Sequence, residues 1–543
     1  MAKTGKKNVT GGQKSSSGVQ KNIPPAQKNI FDIDNAISKF FWLVIPVLAI
    51  VYYVSSKYSQ GFYQDDEISQ YLNMIQFWSD PSVILGNNPK PGYKIFMVIP
   101  ALFGYQPVLL VNSIIASLAV FFTYKLLKVY NVSYAFFGAL LLGTQPLFFD
   151  LSFRSYSEIF TSLVIVIFLI LYKKEYFFIA ALIAGYIFTI RQEIAIFCII
   201  LGIIFLREKK WKEFIAIGVF PVIYNLLGYM KTGDIMYVMS EVKNVAGMKY
   251  ETQPLYHYFK VYIFIVGPIS LVLFLQGFFG FFADTKKFKE YFSKYFLFYV
   301  LFITVFLVQI YTMWNNGPNP GNWRYLLHIS PICVFFATVG LNNLADSKYK
   351  KLNYYITGIL AFLTFIFLSK SSDGFKLLET SDYTKVFFLL AFFVVTVIIS
   401  VKIPKDYLNK VAVILIVLSI IYLAIDFTPK KLSAENITVK NAAEFLNGSE
   451  YKGKTVLSNH SLIQFYADGY RANPKQYISI NSKNINDAPA GSVVLWDNHY
   501  GYRPEWGSDV KLETLQNDKN YKLINKFASN DKRFVTYVFE KIN

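Results

Sequence analysis

Three consecutive carboxylates, Asp65, Asp66 and Glu67, stand in the segment FYQDDEIS, shortly after the first long apolar run. A single acid satisfies a helix N-terminus and is worth about 0.5–1 kcal/mol there, so capping leaves two of the three unexplained. A second cluster, FFDLSFRSYSEIF, places Asp150, Arg154, Tyr156 and Glu158 between two apolar runs. Single arginines recur at Arg191, inside the apolar stretch 176–206, and at Arg324, which enters another run with His328 one turn deeper. Lys94 adds a cation in PGYKIF. Carboxylates gathered with arginines suit one reaction class. A sugar joined through phosphate to a polyprenyl chain departs as an anionic lipid phosphate, which arginine neutralises through paired hydrogen bonds. A carboxylate takes the proton from the acceptor hydroxyl as it attacks. The loop GPNPGNW before Arg324 reads as a turn, not a phosphate-cradling loop, because the Gly-Lys-Ser/Thr ending is missing.

These residues sit among elements that belong in a membrane. The chain of 543 residues is 54% hydrophobic and only 16% charged, too apolar for an ordinary soluble fold. Its charges fall in short clusters between apolar runs, several of which reach the roughly 20 residues needed to cross about 30 Å of hydrocarbon. The net charge of +19 is assigned to the positive-inside bias, not to nucleic acid, since no basic face survives once the loops are placed. Cys198 and Cys333 fall inside apolar runs and read as small buried residues with no metal-ligand spacing. Residues 1–38 read as a disordered basic cytoplasmic tail and not as a cleavable signal.

About thirteen spans are expected, near 39–56, 108–127, 131–149, 157–172, 176–190, 194–206, 213–230, 259–282, 293–313, 325–343, 353–369, 385–401 and 409–427. Every second loop is then basic, carrying Lys125 and Lys128, Lys173 and Lys174, Arg207 to Lys212, Lys286, Lys287 and Lys289, Lys348 to Lys351, and Lys402 and Lys405. The intervening loops mix signs and include Asp80, Asp373 and Glu379. Parity requires 176–206 to be two short spans that turn at Arg191-Gln192-Glu193. Each would be about 20 Å long, so the turn lies below the surface, where charge is tolerated only in a protected cavity. Arg191 is therefore a functional candidate, with an Arg191–Glu193 pair that merely pins the turn as the plainer account. Arg324 has a plainer account too, snorkelling to headgroups.

The first outer loop, 57–107, reads as structured. In DDEISQYLNMIQFWSD, Ile68, Tyr71, Leu72, Ile75 and Trp78 recur at helical spacing, an amphipathic helix lying in the interface. A second interfacial stretch begins at Gly92, after Pro-Lys-Pro at 89–91. From 429 to 543 the character changes: helix-like VKNAAEFLNG precedes strand-like KTVLS, QYISI, GSVVLWD and RFVTYVFE, a small soluble α/β domain. His460 and His499 in it read as ordinary surface residues.

An N-terminal span, an outer loop with an acidic pair opening a juxtamembrane helix, then a long series of spans over 39–428 resembles the GT-C glycosyltransferases. Within them it is most similar to the protein O-mannosyltransferase and aminoarabinose transferase branch. The resemblance implies an inverting transfer from a polyprenyl-phosphate sugar to a lipid, glycan or protein hydroxyl on the outer face, and the Lys-, Ile-, Asn-, Tyr- and Phe-heavy usage points to a bacterial cytoplasmic membrane. It implies that the first-loop acid, Asp66 or Glu67, is the catalytic or acceptor-positioning carboxylate, with the extra Asp65 leaving the choice open. Asp150 matches the second-loop acid and Glu158 is the alternative. Arg191 and Arg324 sit where the lipid phosphate is held, with Arg154 counted beside them and Lys94 a lesser candidate. No cofactor is expected; carboxylates suit a hard divalent ion, but the resemblance does not demand a metal. A transporter or flippase would line both halves of a path with charge, usually with inverted repeats, whereas here polar residues crowd one face. Substrate-dependent release of polyprenyl phosphate separates the flippase from the transferase; a silent assembly subunit whose outer domain binds a partner is the third reading, tested by cross-linking through the His460 or His499 loops.

Overall fold

The computed structural model describes residues 37–85, 89–283, 288–344, 346–369, 391, 407–467, 469–470, 473–504 and 507–543. Residues 1–36 of the expected tail and all but residue 391 of the expected span 385–401 lie outside the described residues, as do Lys286, Lys287, Asp373, Glu379, Lys402 and Lys405.

Among the described residues, six helices are long and apolar enough to cross a membrane: Ile37–Tyr58, Tyr105–Val129, Trp211–Thr232, Phe296–Trp314, Trp323–Leu344 and Leu408–Asp426. Ser157–Lys173, Phe177–Ile190, Ala195–Arg207 and Lys350–Ser369 fall on further expected spans. Two expected spans are broken instead. The stretch 131–149 is two helices, Ala135–Gly143 and Pro146–Leu151, because Pro146 has no N–H to continue the ladder and starts a new first turn. The stretch 259–282 is the pair His257–Val266 and Pro268–Phe278, bent by 116°. Its corner is Gly267, whose φ of +82° a side chain rarely adopts, followed at once by Pro268.

The outgoing arm of that corner packs against Ser330–Leu344 with almost no space between backbones. A Cβ on Gly277 would stand 1.9 Å from the Phe336 carbonyl oxygen, and one on Gly340 would stand 2.0 Å from that of Leu273. Small residues permit this approach, and in an apolar surrounding packing and short polar contacts hold such helices together.

The first loop folds as two helices. Asp66–Gln76 turns Ile68, Tyr71, Leu72 and Met74 inward. Pro91–Leu102 buries Tyr93, Lys94 and Met97 while Ile95, Phe96 and Ile99 stay exposed, the face that an interfacial helix gives to lipid.

Near the C-terminus, five strands form one mixed sheet: β1 Val456–Ser458, β2 Tyr477–Ile478, β3 Val493–Asp497, β4 Tyr521–Ala528 and β5 Val535–Lys541, in the order β2-β1-β3-β5-β4. The first three run parallel, and β5 pairs antiparallel with β3 and β4. β3 is buried along its whole length, consistent with its apolar run VVLW. The sequence reading expects every strand except β4, an edge strand whose YKLINKFA keeps Lys522 and Leu523 at the surface. The sheet unit is tied to the first loop. Gly61 N–H donates to the Lys430 carbonyl at 2.8 Å. Phe465, on the helix Ser461–Tyr466, packs edge-on against Phe62, Tyr71 and Tyr105.

Candidate active site

Glu67 and Arg154 form the inner half of the site. The buried Glu67 carboxylate accepts from the Tyr63 N–H at 3.2 Å and from the Tyr105 hydroxyl, and pairs with Arg154 at 3.4 Å. Arg154 has no donor to spare. It also reaches Asp150 at 3.2 Å, the Gly61 carbonyl at 2.8 Å and Ser59 Oγ at 2.8 Å. Asp150 meets Lys430 at 3.6 Å, so this half runs from the end of the helix Pro146–Leu151 to the link into the sheet unit. Both Glu67 and Arg154 are nearly sealed from solvent, and removing either partner would strand a buried charge.

The second half centres on Glu158, in the first turn of Ser157–Lys173, where the helix dipole favours an anion. One oxygen, Oε1, accepts from both Arg191 at 2.9 Å and Arg324 at 3.1 Å. Arg191 sits in extended conformation between Phe177–Ile190 and a single 3₁₀ turn, so the broken span delivers its guanidinium to Glu158 as well as to Glu193 at 2.7 Å. It therefore does more than pin its own turn. Arg324 is buried and does not snorkel. It donates to Gln64 at 3.0 Å and to Asp66, and its guanidinium lies about 5 Å from the ring centroids of Tyr156 and Tyr325. Of the three first-loop acids, Asp66 holds an arginine while its side chain keeps 42% of its exposure.

Two lysines complete the charge balance. Lys94 is fully buried on Pro91–Leu102, electrostatically within reach of Asp66. Lys90, which the sequence reading passes over, is its buried neighbour. Pro91 keeps the residue before it out of the helical region, so Lys90 caps the helix in an extended turn, its carbonyl accepting from the N–H groups of Tyr93 and Lys94. Burial lowers Lys90 to about 8 despite the opposing pull of Glu158, with Arg324 and Arg191 adding to the depression. Burial, then Lys90, lowers Lys94 to about 7. Two arginines and two lysines thus face the carboxylates Asp66, Glu158 and Glu193. A buried cluster with one more cation than carboxylates attracts an anion more strongly than the same charges would in water.

Asp65 does not cap its helix through its side chain; its carboxylate accepts from Tyr500 of the sheet unit at 2.5 Å. His460 and His499 are not the ordinary surface residues expected from the sequence. His460 is buried, and both rings converge on Glu435 Oε1, at 3.1 and 2.6 Å. Their isolation in sequence hides this: Glu435 precedes His460 by 25 residues and His499 by 64.

The Asp150–Lys430 end of the site borders a cavity of about 450 Å³, lined by Tyr63 and Asn322 on its polar side and by Phe264 and Trp323 on its aromatic side. A second cavity of about 230 Å³ reaches Glu67 and Arg154 past Lys57, Tyr105 and Phe465. Among the described residues no group of three or more His, Cys, Asp or Glu side chains is arranged to hold a metal ion. Asp66, Glu67, Asp150 and Glu158 are each engaged by a cationic side chain.

No protein-family model matches the sequence, and no curated protein matches it. Two solved structures share its fold. The crystal structure of ArnT from Cupriavidus metallidurans bound to undecaprenyl phosphate superposes with a TM-score of 0.56 at 12% identity, over 92% of this chain and 98% of that one. The apo structure of the same protein gives 0.57 at 11% identity, over 93% and 98%. The chain shares the fold of these ArnT structures, in a multi-pass integral membrane protein.

Proposed function

We propose that the protein transfers a hexosyl or pentosyl group from a polyprenyl-phosphate donor to an acceptor hydroxyl, with inversion and with Asp66 as general base. The observation that carries this reading is the chain Asp66–Arg324–Glu158–Arg191 beside two buried lysines: one partly exposed carboxylate next to a desolvated cationic pocket. The fold supports it, since an ArnT structure of that fold holds undecaprenyl phosphate. The acceptor oxygen attacks the anomeric carbon, the bond from that carbon to the phosphate oxygen breaks, and the acceptor proton passes to Asp66. Arg324, Arg191 and Lys90 take up the charge on the departing lipid phosphate.

In this reading the donor phosphate competes for Arg324. Once the guanidinium turns to the phosphate, the carboxylate of Asp66 is released as a base, so the donor binds before the acceptor. Asp65 and Glu67 anchor the segment and do not act. The chain crosses a bacterial cytoplasmic membrane thirteen times, with its N-terminus inside and the site, the first loop 57–107 and the domain 429–543 outside. The test is transfer in proteoliposomes from a synthetic undecaprenyl-phosphate sugar, scored as release of undecaprenyl phosphate. Asp66→Asn is expected to lower kcat by about 10²- to 10⁴-fold. Undiminished turnover in that variant ends the assignment.

A further inference from the structure

We propose that the sheet unit takes part in the transfer by supplying positioning residues: Tyr500 makes the contact, and Glu435, His460 and His499 aim it. The proposal rests on Asp66 being the base. Asp66 sits between two anchored neighbours. On one side Glu67 is fixed by the Tyr63 N–H, Tyr105 and Arg154, all from the helical part of the chain. On the other side Asp65 is fixed by Tyr500, at 2.5 Å, from the far end of the sequence. The Asp65 carbonyl also accepts the N–H groups of Ile68 and Ser69, so holding this residue sets the first turn from which the Asp66 side chain departs. Catalytic carboxylates tolerate little error here: a misplacement of about 1 Å costs on the order of 10²-fold in rate.

Tyr500 is itself built into place. It follows β3, and Asp497 Oδ1 accepts from the N–H groups of His499 at 2.9 Å and Tyr500 at 2.7 Å, which closes the turn. The His499 ring stacks on Tyr500 with centroids 4.0 Å apart, and His460 meets it edge-on at 5.1 Å. Both imidazoles donate to the same oxygen of Glu435, which lies in the first turn of Ala434–Leu446. His460 accepts the Leu462 N–H at its other nitrogen, so its Nε2 carries the proton and its ring is oriented from both ends. Burial works against charge on Glu435, yet the hydrogen bonds from the two histidines hold it down at about 2. Burial and the adjacent Asp65 raise the Tyr500 phenol, so it stays protonated as a donor. Two histidines, both held by Glu435, converge on one ring, and that ring's hydroxyl leaves the sheet unit to meet the residue beside Asp66.

The experiment uses the full-length protein in proteoliposomes with an undecaprenyl-phosphate sugar, and reads turnover together with amide hydrogen exchange. Tyr500→Phe removes one hydroxyl and keeps the ring. It is expected to lower kcat ten- to a hundredfold with donor KM within twofold, and to raise exchange over residues 61–69 while β3 and β5 keep their protection. Glu435→Gln is expected to give a smaller loss of the same kind, and Glu435→Ala the larger one. Tyr502→Phe, at an exposed neighbouring ring, is expected to change neither readout. Wild-type kcat in Tyr500→Phe overturns the proposal, as does exchange that rises over the whole sheet, which marks a purely structural role. If the wild type releases no polyprenyl phosphate at all, the transferase reading falls separately. Exchange then still decides whether Tyr500 holds the segment, and unchanged exchange over 61–69 counts against it.

Discussion

A carboxylate with an arginine on it makes a poor base until the arginine has somewhere else to go, and this distinguishes Asp66 from its neighbours. Glu67 is buried beneath Arg154, Tyr105 and Tyr63, so Glu67→Gln uncouples a buried cation, a loss of about 3 kcal/mol for such pairs. The variant is expected to melt early in a detergent thermal-shift assay, whereas Asp66→Asn, partly exposed, keeps its melting temperature while turnover collapses. Equal melting of the two would undo this division of roles. Lys90 supplies a second prediction. Its charge is present below about 8 and lost as pH rises through that value, so affinity for undecaprenyl phosphate should weaken above it. Lys90→Arg, which stays charged, should flatten that decline in a binding titration between pH 7 and 10. The acids and arginines are legible in the sequence because charge in an apolar stretch is expensive and stands out. Lys90 is hidden inside Pro-Lys-Pro, which reads as a helix start. Tyr105 and Tyr500 are lost among 40 tyrosines, and only three-dimensional proximity singles them out.

At the scale of elements, Arg324 owes its position to a close helix crossing. The 3₁₀ segment that carries it, Trp323–Ile329, runs directly into Ser330–Leu344, which is seated backbone to backbone on Pro268–Phe278 through Gly340 and Gly277. Gly340→Val has no room and should force the pair apart, costing folded yield and several degrees in Tm by size-exclusion and thermal-shift measurement, with donor affinity falling as Arg324 shifts. Gly358→Val, where nothing lies within 4 Å, is the matched control and should be neutral. A stable, active Gly340→Val would mean that the crossing does not set the site. Hydropathy reveals such elements well where a span is straight and long, as in Tyr105–Val129. It is blind to direction, so the 116° corner at Gly267 and the break before Pro146 both read as continuous spans. Strand β4 escapes for a related reason: with lysines and an asparagine along an edge, its burial alternates too weakly to mark a face.

For the whole molecule, the electrostatics of the loops and the geometry of the site make one joint demand. The first-loop acids, the arginines, the cavity beside Asp150 and the sheet unit are in contact with one another, so they occupy one side of the membrane together. In the proposed topology the basic loops lie on the other. Contacts at that end agree: Lys173 lies over Tyr130, and one cavity gathers Asn131, Lys294 and Lys348. The proposed topology follows the positive-inside rule, with the Lys- and Arg-rich loops cytoplasmic and the site outside, where the proposed donor would arrive by lateral diffusion. Two single-cysteine variants test this. Glu208→Cys lies in the Arg207–Lys212 cluster and Lys519→Cys in the turn before β4, both exposed, while the native Cys198 and Cys333 are buried. In intact cells a membrane-impermeant maleimide should label position 519 at once and position 208 only after permeabilisation. Labelling of both from one side breaks the parity, and with it the assignment of site and basic loops to opposite faces. Labelling of 208 alone in intact cells inverts the protein, and the acceptor would then be sought in the cytoplasm.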